Sequence, residues 1–204
     1  MKLLVSQRSF LYEKYNENRD CIDQRMISWV LKLGYYPVLV PNNLFVKKIF
    51  LNLRKFIKEI NPKGLILTGG EDIGTNIERD KTELFMINEF FRKKKAILGI
   101  CRGMQIIGKY FNKGLKKSKL KTSKNYKIFN NKNDKNIPKK AKCFFNYSLR
   151  NCPNEFDIIA QDGIGTIWAI ENKKSKCEAW MWHPERKIQF DKGLIKRTKK
   201  LFSK

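Results

Sequence analysis

The clearest chemistry in the chain lies in Gly99-Ile100-Cys101-Arg102-Gly103. An apolar run, Ala96–Ile100, leads straight into this G-x-C-x-G turn, and Met104, Ile107 and Phe111 follow it at helical spacing. A cysteine set between a strand and a helix and flanked by glycines has the layout of a nucleophile elbow, with Cys in place of Ser. Such a turn is tight, and small neighbours remove the clashes that would open it. It also places the sulfur at a helix N-terminus, where the dipole and free N–H groups favour a thiolate. The plainer reading, a small buried cysteine, leaves the glycines and the strand-to-helix switch unexplained.

A thiolate nucleophile needs a proton partner, and the chain holds one histidine, His183, in Trp180-Met181-Trp182-His183-Pro184-Glu185-Arg186. It follows an apolar run, and Glu185 is spaced to orient the imidazole and stabilise its charged form. A lone histidine is more often structural; the elbow cysteine, the strand-end position and the nearby carboxylate together favour the chemical reading. Acyl transfer also needs an oxyanion hole. The backbone N–H of Arg102 is one candidate donor and that of Gly70, in Thr68-Gly69-Gly70, the second, although a Gly-Gly pair at a strand end is also an ordinary turn. Gln7 and Arg8 follow the first strand, where open α/β sheets bind ligands. Arg8 is a candidate for bidentate contact with a diphosphate, against the commoner case of a solvated surface arginine.

The elements that must position these residues alternate. Leu3–Ser6 reads as a first strand. Ile22, Met26, Trp29, Val30 and Leu33 mark a helix with Asp20 as its expected N-cap, closed by Gly34 and Pro37. Pro37–Val40 reads as a second strand, Ile49, Leu53, Phe56, Ile57 and Ile60 as a second helix, and Gly64–Leu67 as a third strand. Leu84, Ile87 and Phe91 mark a third helix before the strand at Ala96–Ile100. This alternation predicts an α/β fold of three layers, a mostly parallel central sheet with helices on both faces. Cys143–Ser148, Phe156–Ala160, Thr166–Ile170 and Glu178–Trp182 read as shorter strands in a mixed or antiparallel extension, and Leu194–Phe202 as a last helix. The expectation is one domain over residues 1–204.

Composition narrows the class. Lys and Arg total 44 against 19 acids, a formal charge of +25. Such a charge suits a polyanionic partner, but the lysines are spread over every segment beside abundant Asn and Ile, and compositional drift is the preferred explanation. Residues 113–142 hold 12 lysines and one acid, Asp134, and read as a surface excursion rather than a polyanion-binding arm. Five cysteines without paired spacing argue against a disulfide framework or zinc cluster. No apolar run is long enough to span a membrane, and the polar residues from Ser6 onward do not suit a signal peptide. The expected setting is the cytoplasm, with no membrane partner.

The strings LTGGEDIG (67–74), RDKTE (79–83), GICRGMQIIG (99–108) and WHPE (182–185) resemble the class I glutamine amidotransferase-like proteins of the peptidase C26 type, a group with a flavodoxin-like fold that includes γ-glutamyl hydrolases. The resemblance covers most of the chain in order. It implies a Cys101–His183–Glu185 triad, an oxyanion hole at Gly70 and Arg102, and substrate contacts from Gln105 and Gly69, with no metal or cofactor. Within the group, residues 6–23 and the WMWHPER ending look most like the γ-glutamyl-CDP-amidate hydrolases of Campylobacter-type capsular phosphoramidate synthesis. The implied partner is therefore a small γ-glutamyl substrate linked to a nucleotide, rather than nucleic acid. The group's pattern places a histidine in the stretch aligned with residues 143–148; here Phe145 stands in its place. Two alternatives stay open: an ammonia-supplying amidotransferase subunit, which would use the same residues, and a catalytically retired basic fold that binds polyanions.

Overall fold

The computed structural model describes residues 1–45, 50–131 and 134–203. The chain begins with β1 (Lys2–Ser6), a hairpin of β2 (Arg8–Tyr12) and β3 (Glu17–Cys21), α1 (Gln24–Lys32) and β4 (Tyr36–Val40). It continues through α2 (Phe50–Ile60), β5 (Gly64–Leu67), α3 (Ile77–Arg92), β6 (Ala96–Ile100) and α4 (Arg102–Tyr110). The short strands β7 (Leu115–Lys117), β8 (Asn125–Lys127), β9 (Phe129–Asn130), β10 (Lys140–Lys142) and β11 (Tyr147–Leu149) follow. The chain closes with β12 (Asp157–Gln161), β13 (Ile167–Asn172), β14 (Cys177–Trp180) and α5 (Lys192–Ser203).

The main sheet has eight strands in the order β4-β1-β5-β6-β14-β13-β12-β9. The first five run parallel, and β13, β12 and β9 extend them antiparallel. The central strands are apolar throughout because both faces are covered: Leu65, Ile66, Leu67, Ile97, Leu98 and Ile100 are fully buried. Each such side chain contributes about 1.5–3 kcal/mol on burial. Alternation along β5 separates the layers. A side chain at Gly64 would strike Phe202 of α5, whereas Gly103 of α4 lies against Leu67. Helices α2, α3 and α4 share the α4 face, and α1 and α5 cover the other. Right-handed crossovers place α1 opposite α2 and α3, since the chain runs outward from β1 to β4 and then reverses toward β5 and β6.

Several boundaries differ from those read in the sequence. Asp23, not Asp20, caps α1; its carboxylate accepts from the Arg25 N–H at 2.9 Å. Asp20 is held extended in the β2–β3 hairpin, opposite Ser9, and its carboxylate accepts from the backbone N–H and Nδ2 of Asn42 at 2.8 and 2.7 Å. Ile49 lies outside the described residues. The run Cys143–Ser148 does not join the main sheet; β11 pairs with β7 in a two-stranded ribbon. β14 pairs parallel with β6 and antiparallel with β13, so the sheet becomes mixed there, in keeping with the extension read in the sequence. The Lys-rich excursion is partly strand, with β10 paired to β8 and β9 added to the main sheet. Its acid, Asp134, is gripped by Arg197 of α5, which also donates to Glu178 Oε2 at 2.7 Å and Glu171 Oε2 at 3.0 Å. No helix among the described residues is long and apolar enough to cross a membrane.

Candidate active site

All the chemistry-bearing segments emerge at the carboxyl ends of parallel strands: Gln7 and Arg8 after β1, Thr68–Gly70 after β5, Cys101 after β6 and His183 just beyond β14. At the junction of β6 and α4 the chain turns on Cys101, with φ 53° and ψ −105°. A non-glycine residue in this region stores about 1–3 kcal/mol of strain, held by the packing around it. The flanking glycines are required by contact. A Cβ on Gly103 would run into the Leu67 carbonyl, and one on Gly99 would sit 2.7 Å from the Gly103 oxygen. The Cys101 N–H is fixed to the Trp180 carbonyl at 2.6 Å, which ties the elbow to β14.

His183 precedes Pro184, and that restriction keeps it extended, at φ −106° and ψ 96°. Pro184 opens a short turn that brings Glu185 back toward the ring. His183 Nδ1 lies 2.6 Å from Glu185 Oε1. With Nδ1–H donating to the carboxylate, Nε2 is left for Cys101. The close approach is visible at Gly69, where an added Cβ would lie 3.3 Å from His183 Nε2 and 3.6 Å from the Cys101 Cβ. All three side chains are sheltered: Cys101, His183 and Glu185 are 5%, 8% and 3% exposed. Burial works against a charged imidazole, but the hydrogen bonds to Cys101 and Glu185 outweigh it and raise the His183 pKa from 6.5 to about 9. The arrangement sets a sulfur nucleophile beside a base that a carboxylate holds in place.

Beneath the elbow lies a buried charge cluster. Arg102 pairs its guanidinium with Asp80 and Glu83 of α3. Arg79 donates to Glu83 at 3.1 Å and to Glu71 at 2.8 Å. The Arg102 N–H is at the first position of α4, where no intrahelical acceptor exists, so it is available as an anion donor.

Two cavities flank the cysteine–histidine pair. One of about 170 Å³ is lined by Gly70, Cys101, Arg102, Gln105, Phe145 and Asn146 among others. The second, about 460 Å³, has His183 in its wall and not Cys101. Phe144 lines both; its ring meets the imidazole edge-on, with centroids 5.5 Å apart. Among the described residues no group of three or more His, Cys, Asp or Glu side chains is arranged to hold a metal ion.

A family model for class-I glutamine amidotransferases matches residues 16–198. The chain belongs to that family. It is similar to YvdE of Lactococcus lactis, a glutamine amidotransferase-like protein, at 25% identity over 89% of this chain and 86% of that one. It is similar to the γ-glutamyl-CDP-amidate hydrolase of Campylobacter jejuni at 26% identity, covering 89% of this chain and 88% of that one. GMP synthase of C. jejuni matches at 26% identity over 82% of this chain, which spans 32% of that longer protein. Among solved structures, a GMP synthase-type protein from Thermoplasma acidophilum superposes with a TM-score of 0.75 at 18% identity, over all of this chain and 94% of the other. That likeness shows the flavodoxin-like amidotransferase fold.

In this amidotransferase-family chain Cys101, His183, Glu185, Gly69, Gly70, Arg102 and Gln105 lie close together. Gln105 lines the small cavity, but its Nε2 is committed to the Tyr147 carbonyl at 2.7 Å. Gln7 is held at the sheet edge. Its side chain donates to the Val40 carbonyl at 3.2 Å and lines neither cavity, because the amide satisfies a buried carbonyl at the sheet edge. Arg8 abuts Gly70 through its Cβ, yet its side chain also lines neither cavity. Phe145 is 3% exposed and packs edge-on against Trp168 at 5.2 Å. Sequence reasoning missed Phe144 and gave no role to Arg79, Asp80 or Glu83. For Arg79 and Glu83 a signal existed: with Ile87 they form an i, i+4, i+8 line on the buried face of α3.

Proposed function

We propose that the chain is a cysteine hydrolase that cleaves a γ-glutamyl C–N bond and releases glutamate. The observation that carries this reading is Cys101 at a strained elbow close to His183, whose Nδ1 lies 2.6 Å from Glu185, beside a cavity of about 170 Å³, small enough to suit an acyl group of glutamyl size. The Cys101 thiolate attacks the γ-carbonyl carbon, and the oxyanion is received by the Gly70 and Arg102 N–H groups. The C–N bond breaks as the His183 imidazolium gives its proton to the leaving nitrogen. Neutral His183 then takes a proton from water as the hydroxyl adds to the thioester carbon. The C–S bond breaks, returning the thiolate–imidazolium pair and freeing glutamate.

The substrate within this class is γ-glutamyl-CDP-amidate, giving cytidine diphosphoramidate in capsule modification. Similarity to the C. jejuni hydrolase along nearly the full length of both chains supports it. The test is glutamate release from γ-glutamyl-CDP-amidate and from simple γ-glutamyl amides by wild type and Cys101→Ala. Equal activity in the two proteins would sink the mechanism. Similarity to GMP synthases at the same level of identity favours a second reading, an ammonia-supplying subunit. Glutaminase activity that appears only with a synthetase partner would favour it over the first.

A further inference from the structure

The larger cavity beside His183 has a composition the chemistry above leaves unused. Five cationic side chains line it, among them Lys140, Lys142 and Arg186, and no Asp or Glu is among its lining residues. In a chain of +25 a basic surface is unremarkable by itself. This one is singled out by where it lies. An acyl-transfer site has two sides: the acyl group rests against the nucleophile and the departing group against the acid that protonates it. Cys101 lines the small cavity and His183 the large one, and Phe144 forms the partition. A departing ammonia would need no chamber of about 460 Å³.

The charges in the chamber are also sorted. Of the five, Arg25 is held by Asp23 at 2.6 Å and Lys187 by Asp191 at 3.4 Å. Arg186 stacks over the Phe144 ring, its Cζ 4.4 Å from the centroid, and Lys142 Nζ lies 5.4 Å from the same centroid. Glu185 is 3.8 Å from Arg186 but is committed to His183 at 2.6 Å. Lys140 and Lys142 stand on one face of β10, with the buried Ala141 turned to the other. Two lysines of the Lys-rich excursion and one arginine of the His183 turn thus converge on the side from which the leaving group departs.

We propose that this chamber binds a phosphate-bearing leaving group, with Lys140, Lys142 and Arg186 as its phosphate contacts and Phe144 dividing it from the acyl pocket. The Lys-rich excursion is then part of the substrate site rather than a solvated loop. The direction of departure rests on the γ-glutamyl hydrolase reading; the binding of phosphate does not. A compact lysine charge and a guanidinium fork are suited to phosphate oxygens.

The test uses the intact protein with CDP and inorganic pyrophosphate as probes, titrated by calorimetry. Lys140→Ala/Lys142→Ala is compared with Lys116→Ala/Lys117→Ala, which removes the same charge from exposed positions on β7 of the same excursion. The expected result is a roughly tenfold to hundredfold rise in the CDP Kd for the chamber pair and little change for the β7 pair. Unchanged binding in the chamber pair would overturn the proposal. Equal weakening in both pairs would also overturn it, since binding would then follow net charge. A second arm compares turnover of γ-glutamyl-CDP-amidate with that of a γ-glutamyl anilide, whose leaving group is uncharged. The chamber variant should lose kcat/KM by a similar factor, through KM, on the first substrate alone; equal loss on both would overturn the assignment. Wild type that binds CDP through these lysines yet releases no glutamate would defeat the hydrolase reading and still support the phosphate site.

Discussion

Arg79 Nη2 donates to the carbonyl of Gly69 at 3.0 Å, and this bond sets the direction of the Gly70 N–H. In a trans peptide the C=O of one residue and the N–H of the next point opposite ways. Pulling the Gly69 carbonyl to the buried guanidinium therefore turns the Gly70 N–H away from it. A second bond from the same nitrogen, to the Thr68 carbonyl at 3.0 Å, acts on the preceding peptide. Under the proposed mechanism Arg79 would be a positioning residue, shaping the oxyanion hole without reaching the reacting atoms.

Arg79→Lys keeps a cation but loses the fork that grips two carbonyls and two carboxylates. Loss of one oxyanion donor costs about 10²–10³-fold in kcat. A fall of that order is expected for glutamate release, with KM changed little. Steady-state kinetics on the folded variant read the split. A rise confined to KM would show that the clamp serves binding rather than transition-state stabilisation.

His183 is the one histidine of the chain, so its imidazole signal in an NMR titration needs no assignment. The expected midpoint in wild type is about 9. Cys101→Ala and Glu185→Gln each remove a partner that raises it, and burial should then carry the midpoint down, toward or below the ordinary value of 6.5. A group with a raised folded pKa stabilises the native state fully below its unfolded pKa. Its contribution is lost as pH rises through the folded value. Wild type should accordingly lose stability between pH 6.5 and 9, and both variants should lose less over that window. A midpoint near 6.5 in wild type would contradict the ion pair.

Gly103→Ala places a methyl against the Leu67 backbone, which belongs to a central strand and has little room to yield. Overpacking of this kind costs about 1–3 kcal/mol. A lower urea midpoint with an unchanged slope is expected, together with slower alkylation of Cys101 as the elbow opens. Wild-type stability in this variant would mean that β5 and α4 are not in the contact described.

The parallel sheet was legible because its strands are continuous apolar runs bounded by Gly, Pro and Asn, and the helices because their apolar residues recur at 3.6. The elbow was legible for a steric reason: two glycines two residues either side of a cysteine leave few backbone paths. The β2–β3 hairpin was not. Ser9, Phe10, Leu11, Asn18, Arg19 and Asp20 bury no common apolar face, so alternation carries no signal there. Phe144 was hidden because its role depends on a neighbour 39 positions away, His183, which no local pattern connects to it. The hydrogen bond of Gln7 to Val40 was not legible, because a strand-end position says where a backbone arrives, not which way its side chain turns.

Arg197 joins Asp134 to Glu171 of β13 and Glu178 of β14. Asp134 is the sole acid of the excursion and precedes Lys140 by six residues. The grip is therefore a tether: α5, which supplies no reacting group, holds the root of the strand whose lysines reach the chamber. Cutting that tether with Arg197→Met would leave the nucleophile and its base in register while slackening one wall of the site. The damage would surface as poorer discrimination between leaving groups, at a distance from the bond being broken.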